Sequence, residues 1–364
     1  MRLISSVGLG IPPYEISQTK VKTLVREIFG SRESTIIERL LPVFDHAQID
    51  KRQLAVEADW FQKHHTFQEK NDLYHRLAIK YALKAIDSCL TNLQFLNKAI
   101  PYEAVDMFIF VSSTGISTPS LDTYIMNERP FTEDTARMPL WGLGCAGGAI
   151  GLSRAYDWIK AHPDKNVLIV CCELCSLTFQ KDDLQKSNLV GTALFGDGVG
   201  AAFLMGDQSA YLSYSKHTKP RIVNTSSATK KRSNHIMGWN MTNNGMEVVF
   251  SRNIPALVHT FWQRHIDTFL DKINVNSQTV HSYIAHPGGK KVLEAMEDVL
   301  QVSQPKFKHS HNVLRNHGNI SSATVLYVLH EWMQEDITEN ALSVLSALGP
   351  GFSSELILLE WNET

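Results

Sequence analysis

The stretch PLWGLGCAGGAIGLSRAYDWI, from Pro139 to Ile159, sets a cysteine among closely spaced glycines. Two chemistries fit it. Gly142, Gly144 and Gly147 satisfy G-x-G-x-x-G, which cradles a dinucleotide pyrophosphate when it follows a strand and opens a helix. The same residues can mount Cys145 at a helix start, where the positive end of the macrodipole favours a thiolate. Such help matters, because only about 3% of an unperturbed thiol is ionised at pH 7. N–H groups after the cysteine can then serve as oxyanion donors, and the glycines let an acyl chain approach the backbone. The dinucleotide reading needs a strand just before the glycines and an acid ending the next one. Glu173 can be that acid, but RMPLW is short, carries Pro139, and leaves Cys145 without a purpose. The nucleophile reading uses every residue; its plain competitor is a cysteine packed as a small hydrophobe.

A nucleophilic cysteine needs a base, and 15 histidines compete for the role. His64 and His65 stand in a polar, helix-like stretch and read as solvated. His309, His311 and His317 raise the question of a metal, but KHSHNVLRNHGN reads as irregular and polar. His286 ends an apolar strand and is turned sharply by Pro287-Gly288-Gly289, and the carboxyl ends of such strands are where α/β sheets bind ligands. Asn319, in HGNISSA, precedes an apolar helix, where an N-cap is the competing role. The five cysteines, Cys89, Cys145, Cys171, Cys172 and Cys175, are odd in number and read as reduced thiols. Cys172-x-x-Cys175 has no second pair, so no metal is expected.

Positioning these residues requires a sheet. Apolar positions recur at helical spacing from Asp72 to Leu90, in Gly148–Lys160, in Ile254–Ile273, from Gly289 to Leu300 and from Ile320 to about Gln334. Short apolar runs at Asp106–Ser113, Val167–Glu173, Ala201–Gly206 and SYIAH read as buried strands, so the chain is α/β. Leu194–Asp207 and Ala347–Trp361 both read as strand, glycine turn, strand, a weak internal repeat that suggests two similar halves in one body. Of 364 residues 43% are hydrophobic and 20% charged, and the net charge of −2 gives no reason to expect nucleic acid. The N-terminus reads as a first strand, not a signal peptide, and no apolar run approaches the ~18 residues of a membrane span. The cytoplasm is the expected compartment.

GLGCAGGA, LFGDG, IAHPGG, HGNISSA and ALGPGFSSE follow one another in an order that resembles the type III polyketide synthases, the chalcone and stilbene synthase family. The overall texture resembles bacterial members that make alkylpyrones. The resemblance implies a thiolase-like αβαβα sandwich, with an N-terminal half over 1–209 and a C-terminal half over 210–364. It implies a homodimer that loads an acyl-CoA, extends it by decarboxylative condensation with malonyl-CoA, and needs no cofactor beyond CoA thioesters. Cys145 matches the acyl-accepting nucleophile, paired as thiolate with an imidazolium at His286, and Asn319 matches the catalytic asparagine. Phe195 and Phe250 match gatekeepers, while Ser113, Thr114, Cys175, Thr178 and Ser321 match positions lining the cavity. Cys175 stands where plant enzymes carry threonine, and Met241 where they carry glycine. Lys51-Arg52 matches a basic pair near the CoA phosphates, but the acidic and apolar residues before it leave those contacts unassigned. The alternatives are a single-condensation ketoacyl synthase of fatty-acid synthesis and a non-catalytic thiolase-fold partner subunit.

Overall fold

The structure, a computed structural model, describes residues 3–29, 34–216 and 218–363, without the side chains of residues 34–36. Strand β1 (Leu3–Gly10) is followed by β2 (Tyr14–Ser17), three helices, α1 (Gln18–Phe29), α2 (Ser34–Leu40) and α3 (Pro42–His46), and β3 (Lys51–Leu54), which pairs with β2. Helices and strands then alternate: α4 (Phe67–Thr91), β4 (Met107–Ser112), α5 (Leu121–Asn127), β5 (Ala136–Trp141), α6 (Gly147–Ala161) and β6 (Asn166–Leu174). Helix α7 (Lys186–Leu194) leads into β7 (Asp197–Met205). Next come β8 (Lys219–Thr229), the hairpin of β9 (Met237–Thr242) and β10 (Gly245–Phe250), and α8 (Ile254–Leu257), which continues through a π turn at Val258–Trp262 into α9 (Gln263–Lys272). The chain ends with β11 (Ser282–Ala285), α10 (Lys290–Leu300), α11 (Lys308–His317), α12 (Thr324–Trp332), β12 (Leu342–Gly349) and β13 (Ser353–Asn362).

Nine strands form one mixed sheet in the order β11-β12-β13-β8-β1-β7-β6-β4-β5. Only Leu3 and Arg221 pair across β1 and β8, so the sheet is nearly divided there. Helix α4 covers β1, β7 and β6 from one side, while α6 and α12 each touch strands of both divisions and α9 lies on β13. The result is five layers, helix, sheet, helix, sheet, helix, the thiolase-like sandwich. Residue chemistry accounts for the layering. Strands β4 and β6 are buried along their whole length, as continuous apolar runs must be when helices cover both faces. Helix α12 (TVLYVLHEW) buries Val325, Leu326, Val328, Leu329 and more on every side, which suits a helix only in a central layer.

Two expected elements differ. Leu194–Asp207 is a helix end followed by a single strand, because SNLVGTAL keeps α7 helical up to Leu194 and leaves one turn before β7. KHSHNVLRNHGN is helical through His317, since its polar residues face partners inside the protein. His309 Nδ1 meets Glu331 at 2.7 Å, its Nε2 meets Glu335 at 3.0 Å, and His311 meets Glu297 at 2.7 Å. A helix whose buried face is histidine does not announce itself by hydropathy.

Helix α4 begins with a capping box: Thr66 Oγ1 accepts from the Glu69 N–H at 3.2 Å, and the Glu69 carboxylate accepts from the Thr66 N–H at 2.8 Å. Thr66→Ala is expected to lower the stability measured by urea unfolding by about 1 kcal/mol. The Thr66 hydrogen bonds hold the Glu69 carboxyl below its ordinary 4.5. Its contribution is therefore complete above pH 4.5 and fades as pH falls through the lowered value. The deficit of the variant should shrink over the same acid range.

Candidate active site

Cys145 sits in a single 3₁₀ turn, Gly144–Ala146, that runs directly into α6. The glycines around it serve close packing. A Cβ on Gly148 would stand 2.3 Å from the Ser322 carbonyl oxygen, and one on Gly349 would stand 2.5 Å from Ala146 Cβ. The α6 start is thus pressed backbone to backbone against the turn after Asn319 and against the GPGF segment. A strand does precede the glycines, β5, but it is the edge of the sheet, where Pro139 is tolerated. The phosphate-cradle reading fails because two of its three glycines face protein: a Cβ on Gly144 would stand 2.7 Å from Pro350 and one on Gly147 2.6 Å from Val111.

His286 follows β11 and is fixed by its N–H bonding to the Ser346 carbonyl at 2.8 Å. Its ring is 3% exposed, and neither ring nitrogen has a partner among the described residues. Asn319 follows Gly318, whose φ of +70° turns the chain after α11. Its Oδ1 accepts from the Ser321 N–H at 2.8 Å, which orients the amide. Its Nδ2 then lies 3.9 Å from Cys145 Sγ and 3.4 Å from the Gly288 carbonyl. Asn319 is not the N-cap of α12, which begins five residues later; its Oδ1 bonds the first N–H of the 3₁₀ turn at Ser321–Ala323 that leads into it. The main chain of Asn319 also bridges to Phe195, by Asn319 N–H to Leu194 O at 2.8 Å and Gly196 N–H to Asn319 O at 3.0 Å.

Burial pushes the Cys145 thiol up to about 11, against hydrogen bonds from Ser321 and Asn319, and pushes His286 down to about 3. No hydrogen bond joins the two. Burial opposes each charge taken alone, so the thiolate–imidazolium pair expected from sequence forms only if the two groups ionise together. Passing the proton from Sγ to the imidazole creates no net charge, so ionisation here requires both groups.

A small cavity in front of Cys145 is lined by Phe195, Trp239, Phe250, Ser321 and Pro350. The rings of Phe250 and Trp239 stand 5.6 and 5.9 Å from that of Phe195. Behind this aromatic wall a larger cavity runs beneath α1, with Val21, Leu24, Val25 and Ile28 above and Cys175 and Thr178 on the near side. Ser113 and Thr114 point elsewhere. With Ser322 they bond the fully buried carboxyl of Glu173, which burial lifts to about 7 against those bonds. Thr114 also borders a third, small cavity with Thr178. Met241 is not in the cavity wall: it is 47% exposed at the tip of the β9–β10 hairpin, opposite Met246. The hairpin carries Gly238 into the wall instead, three residues earlier. Arg52 is 1% exposed and so does not reach solvent phosphates, while Lys51 pairs with Glu15 at 2.9 Å. Sequence reasoning missed Trp239 and the burial of Arg52. The alternation of MGWNM before an Asn-Asn-Gly turn was the available signal for the first. No group of three or more His, Cys, Asp or Glu among the described residues is placed to hold a metal.

The layered sandwich is that of the thiolase-type condensing enzymes, here with a cysteine, a histidine and an asparagine at the junction of its divisions. The family description for the N-terminal domain of chalcone and stilbene synthases matches residues 2–208, and that for their C-terminal domain matches residues 223–361. The chain belongs to this family and is a type III polyketide synthase, an acyltransferase of a family that condenses CoA thioesters without a further cofactor. It is 43% identical over 364 residues to a "Putative chalcone synthase" of Bacillus subtilis, with 100% of both chains covered. It is 30% identical to the 1,3,6,8-tetrahydroxynaphthalene synthase of Streptomyces peucetius, covering 98% of this chain and 93% of that one. The crystal structure of the Streptomyces coelicolor 1,3,6,8-tetrahydroxynaphthalene synthase superposes with a TM-score of 0.90 at 25% identity, over 100% of both chains.

Coupled ionisation has a direct consequence. Iodoacetamide labelling of Cys145 across pH should give a midpoint in His286→Ala that is more alkaline than in the unaltered protein by about one pH unit or more. Identical midpoints would show that His286 does not take the Cys145 proton.

Proposed function

We propose that this enzyme primes on a fatty acyl-CoA, extends it with malonyl-CoA and releases an alkylpyrone. In the cycle Cys145 Sγ passes its proton to His286 and attacks the acyl thioester carbonyl, and CoA leaves as the thiol. Malonyl-CoA then loses carbon dioxide. The developing enolate oxygen accepts hydrogen bonds from a ring nitrogen of His286, which has no partner at rest, and from Asn319 Nδ2. The enolate carbon attacks the Cys145 thioester, the C–S bond breaks, and the chain has grown by two carbons.

The observation that carries the fatty starter is the cavity beneath α1. Its lining is mostly apolar, with Val21, Leu24, Val25 and Ile28 along α1 and polar side chains at Ser176, Thr178, Asn188 and Thr192, and it adjoins the Phe195–Trp239 wall. The run of aliphatic residues supports a lipid chain, which gains with each methylene buried. The relatives named as tetrahydroxynaphthalene synthases point to an aromatic product for those proteins; the aliphatic channel favours the alkyl chain here. The chain halves as an N-terminal unit with the nucleophile and a C-terminal unit with His286 and Asn319. A cytoplasmic homodimer is the form we infer. The exposed end of edge strand β5, with Trp141 54% exposed and Ile116 40% exposed nearby, supports a partner there.

Each methylene buried in the channel adds up to about 0.8 kcal/mol, or about fourfold in affinity. kcat/KM should climb with acyl length from acetyl-CoA, with octanoyl-CoA and longer starters preferred over acetyl-CoA and p-coumaroyl-CoA. Mass spectrometry should find mainly triketide and tetraketide pyrones. Cys175→Phe, which fills the near end of the channel, should move the optimum to shorter chains. A flat profile, or preference for the aromatic starter, would overturn the lipid-channel reading and leave the condensation chemistry standing.

A further inference from the structure

We propose that Arg52 is a positioning residue for the condensation step, acting through the Leu194–Gly196 segment on Asn319 and Phe195; the proposal rests on the roles given to those two residues above. The guanidinium is buried in the protein and faces the end of α7. Its Nη1 donates to the carbonyls of Thr192 and Phe195, both at 2.8 Å, and its Nη2 donates to that of Ala193 at 2.7 Å. Nη2 also donates to Gln18 Oε1, and Gln18 Nε2 returns to the Ala193 and Phe44 carbonyls at 3.0 and 3.1 Å. One side chain thereby satisfies three carbonyls at a helix C-terminus, where a cation is favoured and where bonds from an ionised donor are strongest. Asp197, two residues past Phe195, adds a favourable charge, and its own carboxylate is fixed by Ala55 N–H and Ser176 N–H, both at 2.7 Å.

The segment so held has one more set of contacts. Its Leu194 carbonyl and Gly196 N–H are the two groups that bond the main chain of Asn319, and its Phe195 ring is the wall between the Cys145 cavity and the channel beneath α1. No other guanidinium or ammonium among the described residues bonds these carbonyls. Arg52 is buried, so it does not hold CoA phosphates; it borders the cavity beneath α1, and its guanidinium bonds fix where the Asn319 amide and the Phe195 ring stand. Cys145 is mounted on α6 and the GPGF segment and meets this arrangement only through the Asn319 amide at 3.9 Å, so its own placement depends on it less. Loading and extension should therefore respond differently.

The test is the ratio of extension rate to Cys145 loading rate, read by rapid-quench intact-mass spectrometry with decanoyl-CoA followed by malonyl-CoA. A merely structural role lowers the folded fraction and leaves the ratio unchanged. Arg52→Gln is expected to lower the ratio about tenfold or more, approaching Asn319→Ala, in line with a displaced oxyanion donor. Arg52→Lys keeps the charge but not the fork, and should fall between Arg52→Gln and the unaltered enzyme. Should Arg52→Gln not fold, Arg52→Lys alone decides. A ratio unchanged within about twofold in the folded variants, with Asn319→Ala low, overturns the positioning role while the proposed function stands. An unchanged ratio in Asn319→Ala overturns both.

Discussion

Two main-chain hydrogen bonds, between Asn319 and the Leu194–Gly196 segment, hold together residues more than a hundred positions apart in the chain. They join the end of α7 to the loop between α11 and α12, at the line where the two divisions of the sandwich meet. The surrounding contacts require the same closeness. Backbone meets backbone where α6 begins, and only residues without a Cβ fit there. Cys145 from one division then meets Asn319 from the other, 3.9 Å from Sγ to Nδ2, with the Gly288 carbonyl beside His286 bonded to the same amide. The seam is built by packing, and the chemistry occupies it.

The same burial sets the electrostatics. Burial raises the Cys145 thiol and lowers the His286 imidazole, so each charge is disfavoured unless the other forms with it. The rings of Phe195, Trp239 and Phe250 form an aromatic wall beside the Cys145 cavity. Hydrogen-bond donors in such a setting act on a developing oxyanion far more strongly than they would in water. Glu173 belongs to this economy of buried charge. Its carboxyl ties the ends of β4 and β6 to Ser322, next in sequence to the cavity residue Ser321.

Much of this was legible in the residues. Buried strands such as MFIFVS announce themselves by unbroken hydrophobicity, and Cys145, His286 and Asn319 stand out because each follows or precedes a sharp glycine turn. What stayed hidden is physical in origin. Helix α11 buries histidines against acids, so its inner face reads as polar. Arg52 reads as a surface cation until its carbonyl partners, some 140 residues away, are brought to it. Met241 was matched to a wall position by resemblance alone; its pairing with Met246, beside the Asn-Asn-Gly turn, puts it near the tip, and Gly238 lies in the wall. The burial that opposes a lone charge at Cys145 or His286 comes from tertiary packing, which spacing along a chain does not encode.

The central claim is that Cys145 carries the acyl chain. Incubating the protein with decanoyl-CoA in the absence of malonyl-CoA, then measuring intact mass and mapping the adduct by peptide fragmentation, tests it most directly. One decanoyl group per chain is expected, on Cys145, and none in Cys145→Ala. An adduct on Cys171, Cys172 or Cys175, or acylation that persists in Cys145→Ala, would contradict it.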